Sequence, residues 1–192
     1  MRPLLSPGTV RLLAASFLLG LSSIAVWGFG RDLLTTRPGT TTLGSALTWT
    51  ILGAAGILGA LGGDLVRRVG LTTSWVALML TMGAATTLFA LAPVTYWIVF
   101  TAALFGASYV GLTGLVLLWS ANLYPTRTSF GVGVSFFTIA AGQAIGEPLV
   151  GRLIESLDAP VVFYAWAGLA VLGAALRLHT GRSATGAGRQ RP

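Results

Sequence analysis

The chain has 192 residues, 54% of them hydrophobic and only 9% charged. A water-soluble domain carries about a quarter charged residues, so most of this surface is expected to meet lipid rather than water. With no cysteine, a single histidine (His179) and five acidic residues, disulfides and thiolate chemistry are excluded, and a metal centre, cofactor site or hydrolytic enzyme is not expected.

The net charge of +7 is carried on arginine, with no lysine anywhere in the chain. These arginines fall at the ends of apolar stretches rather than along one soluble face, which argues against nucleic-acid binding. No G-x-S-x-G elbow and no nucleotide-binding loop occurs.

A membrane helix needs about 20 mainly apolar residues. Six such spans are predicted, at 11–33, 43–66, 71–92, 94–123, 129–153 and 160–178. The apolar runs are too long for barrel strands, which alternate over about ten residues. The predicted fold is therefore an all-α integral membrane protein with one six-span domain over residues 1–179. An Arg-containing tail at 180–192 is expected to be disordered and cytoplasmic.

The breaks between spans carry turn residues. They are Arg37-Pro38-Gly39, Ala92-Pro93, Tyr124-Pro125-Thr126-Arg127 and Asp158-Ala159-Pro160. Loops this short force consecutive spans to run antiparallel.

Counting arginines by side fixes the expected orientation. Arg2, Arg11, Arg67, Arg68, Arg127, Arg177, Arg182, Arg189 and Arg191 fall on one side. Arg31, Arg37 and Arg152 fall on the other, with Asp32, Glu147, Glu155 and Asp158. The first side is read as cytoplasmic, and six spans put both termini there, in a plasma (bacterial inner) membrane. The first apolar run is too long for a signal peptide.

Two segments carry further signals. Gly62-Gly63-Asp64-Leu65-Val66-Arg67-Arg68-Val69-Gly70 ends the second span, with glycines where a short loop turns and arginines that can anchor helix ends. Gly142-Gln143-Ala144-Ile145-Gly146-Glu147-Pro148-Leu149-Val150-Gly151 lies in the fifth, where Gly142 and Gly146 permit close helix approach and Pro148 removes a backbone hydrogen bond.

The first segment resembles the cytoplasmic loop signature G-x-L-x-D-R-x-G-R-R of the major facilitator superfamily, through Gly63, Leu65, Arg68 and Gly70. Arg67 occupies its acidic position, with Asp64 nearby, and Leu71-Thr72 replaces its final basic pair. The second segment resembles the G-x-x-x-G-P motif of the superfamily's proton-coupled exporters, with Glu147 where the first proline of a doubled-proline variant would stand. Trp27-Gly28-Phe29-Gly30-Arg31-Asp32-Leu33 is similar to the seventh helix of the sugar-efflux-like permeases. The resemblance implies the C-terminal six-helix half of such a transporter.

Ionisable residues inside a span are costly and usually face a cavity or a partner. Glu147 lies roughly 10 Å outward of the middle of its span. It is expected to face the bundle, paired with Arg31 or exposed to a water-filled path, as a candidate proton carrier. Arg31, Asp32, Gln143, Trp27 and Trp49 complete the candidate pathway. Trp75, Trp97, Trp119 and Trp166 are expected to form interfacial belts. Asn122 is read as a helix cap, and Ser108 as a further polar candidate.

The expected function is transport of a small solute by alternating access, as secondary active efflux and possible proton exchange. The expected partners are the bilayer, the solute, a proton, and an N-terminal six-helix half or a second copy of the chain. The alternative is a structural or assembly protein, or a fragment with no transport of its own.

Overall fold

The computed structural model describes residues 8–37, 40–91 and 95–176, with only the backbone at 95 and 96. It is all-helical. In chain order the helices are α1 (Thr9–Thr35), α2 (Thr42–Gly59), α3 (Gly62–Val69), α4 (Leu71–Leu91), α5 (Thr95–Leu123), α6 (Thr128–Ser156) and α7 (Ala159–Ala174). The residues from 177 on, including the expected tail, lie outside the described residues, as do the Pro38-Gly39 and Ala92-Pro93 turns.

Five helices (α1, α2, α4, α5 and α6) are long and apolar enough to cross a membrane, against the six spans expected. The short last helix alone lowers the count, and the second span, though still counted, is also shorter than expected. The second span does not run to residue 66: α2 stops at Gly59, Ala60 and Leu61 turn, and the eight-residue α3 follows. The last helix stops at Ala174 after 16 residues, about 24 Å, short of a hydrocarbon core of about 30 Å.

Local chemistry accounts for several helix ends. The Gly44 amide donates to Thr41 Oγ1 at 3.0 Å, an N-cap for α2. Asp158 precedes α7 in extended backbone, and Pro160 sits in its first turn. Gly70 alone joins α3 to α4 at φ 84°, a conformation that favours glycine.

Helix directions follow from which residues meet. Gly146 packs on Leu21, and Gly151 on Phe29, so α6 runs parallel to α1. Leu52 packs on Gly106, and Gly56 on Val110, so α2 runs parallel to α5. Trp75 donates to the Gly173 carbonyl at 2.9 Å while Phe89 stacks on Phe163, so α4 and α7 are antiparallel.

The chain repeats itself in this packing. Gly20 of α1 abuts the Ile139 carbonyl of α6, and Gly106 of α5 abuts the Leu52 carbonyl of α2. Gly146 of α6 sits on Leu21 and Ile24, and Gly59 of α2 sits on Ala107 and Val110. Position by position, α1 corresponds to α5, α2 to α6 and α4 to α7: two three-helix units of opposite direction. Backbones approach this closely only where no Cβ intervenes.

The core lies between α1, α4, α5 and α7, around Trp75, Phe89, Phe105 and Phe163, all fully buried. Trp75, Trp119 and Trp166 are buried in this packing rather than forming belts; Trp97, half-exposed, keeps a surface position. By contrast α2 and α6 are the least buried of the long apolar helices.

Candidate functional site

A cleft of about 490 Å³ opens between the α2–α3 junction and α6, floored by α5. Gly59, Gly62 and Gly63 line one wall, Phe136 the other, and Tyr109, Val110, Thr113 and Gly114 the floor. Gly59 and Gly62 pack directly on α5, and the space opens beside Gly63, where an added Cβ would meet nothing within 4 Å.

Tyr109 links this cleft to a polar and aromatic cluster at mid-depth. The Gln143 side-chain amide donates to the Tyr109 hydroxyl at 3.2 Å and to Ser23 Oγ at 3.3 Å. Ser23, Tyr109 and Gln143 sit at or next to the midpoints of α1, α5 and α6. Trp27 meets Tyr109 edge-on at 5.4 Å and Phe105 at 6.1 Å, and the Phe105 and Tyr109 rings stack at 6.2 Å. The Trp27 Nε1–H is buried without a partner among the described residues. Together these groups gather aromatic rings and hydrogen-bonding side chains around one mid-depth point, with Phe105 and Ser23 fully buried and Tyr109 also lining the cleft.

The predicted pathway residues divide. Trp27 and Gln143 are in this cluster. Trp49 of α2 lies elsewhere, its ring against Gly30 and near Phe89. Arg31 and Asp32 are exposed in the last turns of α1. Glu147 does not turn into the bundle: it is exposed, and neither it nor Arg31 makes an ion pair among the described residues. Gly142, Gly146 and Val150 take the packed face of α6, and Glu147, about 100° around the helix from Gly146, is left on the open side.

The glycine motif of α6 does pack closely. A methyl group on Gly142 would strike the Phe17 carbonyl and meet the Leu21 amide nitrogen at 2.8 Å, whereas one on Gly151 would make ordinary contact with Phe29. Pro148 is held inside a continuous α6. In the other motif, Gly63 is helical and open rather than a turn residue; Gly70 makes the turn. Asp64 and Arg67 form an ion pair on α3, Leu65 points into a crevice against α4 and α5, and Arg68 sits at that crevice's edge.

Tyr109, Phe105 and Ser23 escaped the sequence reading. Their signal was an i, i+4 aromatic pair centred in a span, Phe105 and Tyr109. Ser108, which was singled out, only returns its hydroxyl to the Leu104 and Phe105 carbonyls of its own helix. Asn122 is exposed in the last turn of α5.

The charged residues sort to two ends of the bundle. Thr9 shares a 2.6 Å hydrogen bond with the Tyr124 hydroxyl, which brings Arg11 and Arg127 to one end, where α3 carries Arg67 and Arg68. At the other end Arg37 donates to the Phe89 and Ala90 carbonyls at 3.0 and 2.7 Å, capping α4 with a cation. Burial draws the Arg37 pKa below its ordinary value, but a guanidinium remains charged at physiological pH.

Among known proteins, the chain is similar to the transcription regulatory protein OpdE of Pseudomonas aeruginosa, 27% identical over 187 residues. The match covers 95% of this chain and 46% of that protein, so the chain spans about half the length of the relative. No protein-family model matches.

Proposed function

We propose that the chain is a six-crossing membrane unit forming one wall of an alternating-access path for a small solute, in the manner of the C-terminal half of a major facilitator superfamily transporter. The observation that carries this reading is the cleft between the α2–α3 junction and α6, backed by the Tyr109–Gln143–Trp27 cluster at mid-depth. Two inverted three-helix units are the arrangement within each half of such transporters, where solute binds near the midplane between halves. An open face on α2 and α6 is where a second half would dock, and the relative's double length leaves room for one.

In this reading α7 completes the sixth crossing, antiparallel to α4. The Arg-rich end carrying Arg11, Arg67, Arg68 and Arg127 faces the cytoplasm, both termini are on that side, and the membrane is the plasma membrane. Glu147, on the open face, meets water or the second half instead of lipid, and remains the candidate for carrying a proton during efflux. The second half is a separate or covalently joined six-helix unit, or another copy of this chain.

Gradient-driven flux of sugars, drugs and small metabolites in proteoliposomes tests this. Saturable flux that falls on Gln143→Ala supports it. A folded, reconstituted protein that moves no solute class, alone or with a six-helix partner, overturns it in favour of a structural or assembly role. The name of the OpdE relative supplies a second reading, participation in transcription regulation. Loss of a transcriptional response with flux intact would favour that reading.

A further inference from the structure

A second cavity, of about 450 Å³, lies away from α6, between α2, α3, α4 and α5. Leu58, Leu61, Leu65, Leu78 and Leu104 make its lining almost wholly apolar. It opens beside the break at Ala60-Leu61, where a turn separates α3 from α2 and both helices contribute to the lining. Two charged residues, Asp64 and Arg68, stand at its edge. Asp64 forms an ion pair with Arg67, while Arg68 is exposed and makes no ion pair among the described residues.

We infer that this crevice holds one acyl chain of an anionic phospholipid, with the headgroup phosphate on Arg68. The inference rests on the membrane reading above. A narrow apolar slot open on the outside of a bundle accepts a lipid tail, and a cation at its mouth, at the Arg-rich end, complements a phosphate. α3 suits the position: Leu65 turns into the slot and Val66 onto the core, while Arg67 and Arg68 stay exposed at the level of the headgroups.

Native mass spectrometry of the detergent-purified chain, titrated with phosphatidylglycerol or phosphatidylcholine, tests this. One phosphatidylglycerol is expected to be retained in preference to phosphatidylcholine. Arg68→Gln should weaken that retention about five-fold, the worth of one arginine at a headgroup. Thr81→Phe, which fills the slot, should weaken retention of both lipids, and Arg11→Gln, at the same end but off the crevice, should change neither. Equal binding of the two lipids, an unchanged Arg68→Gln, or an equal loss with Arg11→Gln would overturn the inference. Circular dichroism confirms that each variant is folded. Purification of the chain without detergent, binding no lipid, would instead overturn the membrane reading itself.

Discussion

Replacing Gly142 with alanine perturbs the contact that holds α6 to α1. The added Cβ would strike the Phe17 carbonyl and come within 2.8 Å of the Leu21 nitrogen, and both obstacles are backbone, which cannot rotate aside. The helices must separate, at a cost of about 1–3 kcal/mol for overpacking. Alanine returns about 0.5–1 kcal/mol in helix propensity, and because both obstacles are backbone the overpacking cost falls toward its upper end, leaving a net loss of about 2 kcal/mol. Gly53 and Gly168 have open space around them, so alanine at either gives the propensity gain alone. Thermal unfolding in detergent, followed by circular dichroism, measures the difference. Gly142→Ala should lower the midpoint, and Gly53→Ala should hold or raise it. A Gly142→Ala protein as stable as the parent would refute the close backbone approach of α1 and α6, and with it the internal repeat in which Gly20 on α1 corresponds to Gly106 on α5.

Three further outcomes follow from the same contacts. Arg37→Gln removes the cation capping α4 and should cost about 1–2 kcal/mol, read in the same melts. Tyr124→Phe breaks the buried hydrogen bond to Thr9 and should cost about 1 kcal/mol, again by thermal unfolding. In proteoliposomes, Glu147→Gln should abolish the pH dependence of solute flux while leaving the fold intact. Unchanged flux and pH dependence would remove the proton-carrier role.

Much of the fold was legible because bilayer thickness imposes a length on apolar runs. The turns at Tyr124–Arg127 and Asp158–Pro160 stand out in sequence because proline and polar residues interrupt that length. The break at Ala60-Leu61 was hidden because alanine and leucine carry no turn signal, and the glycines around them are compatible with a helix. The short α7 was overestimated because Ala175 and Leu176 remain apolar after the helix ends. At the site, Gln143 and Trp27 were visible as polar or amphipathic groups inside spans. Their partner Tyr109 was not, since an aromatic residue in an apolar run reads as packing until the neighbouring helices are placed. Glu147 makes no pair with Arg31 among the described residues, because the packing glycines, not the charge, decide which face of α6 is covered by α1.

The account turns on whether the open faces of α2 and α6 meet water rather than lipid. The chain has no cysteine, so single introduced cysteines report unambiguously. Thr50 on α2, and Ala140 and Ala144 on α6, lie exposed on these two helices; Leu88 on α4 and Leu172 on α7 are exposed on the far helices. Labelling with a membrane-impermeant thiol reagent in native membranes, with the assembled protein, should modify cysteines at Thr50, Ala140 and Ala144 and spare those at Leu88 and Leu172. Equal protection of both sets would contradict a water-filled path on this face.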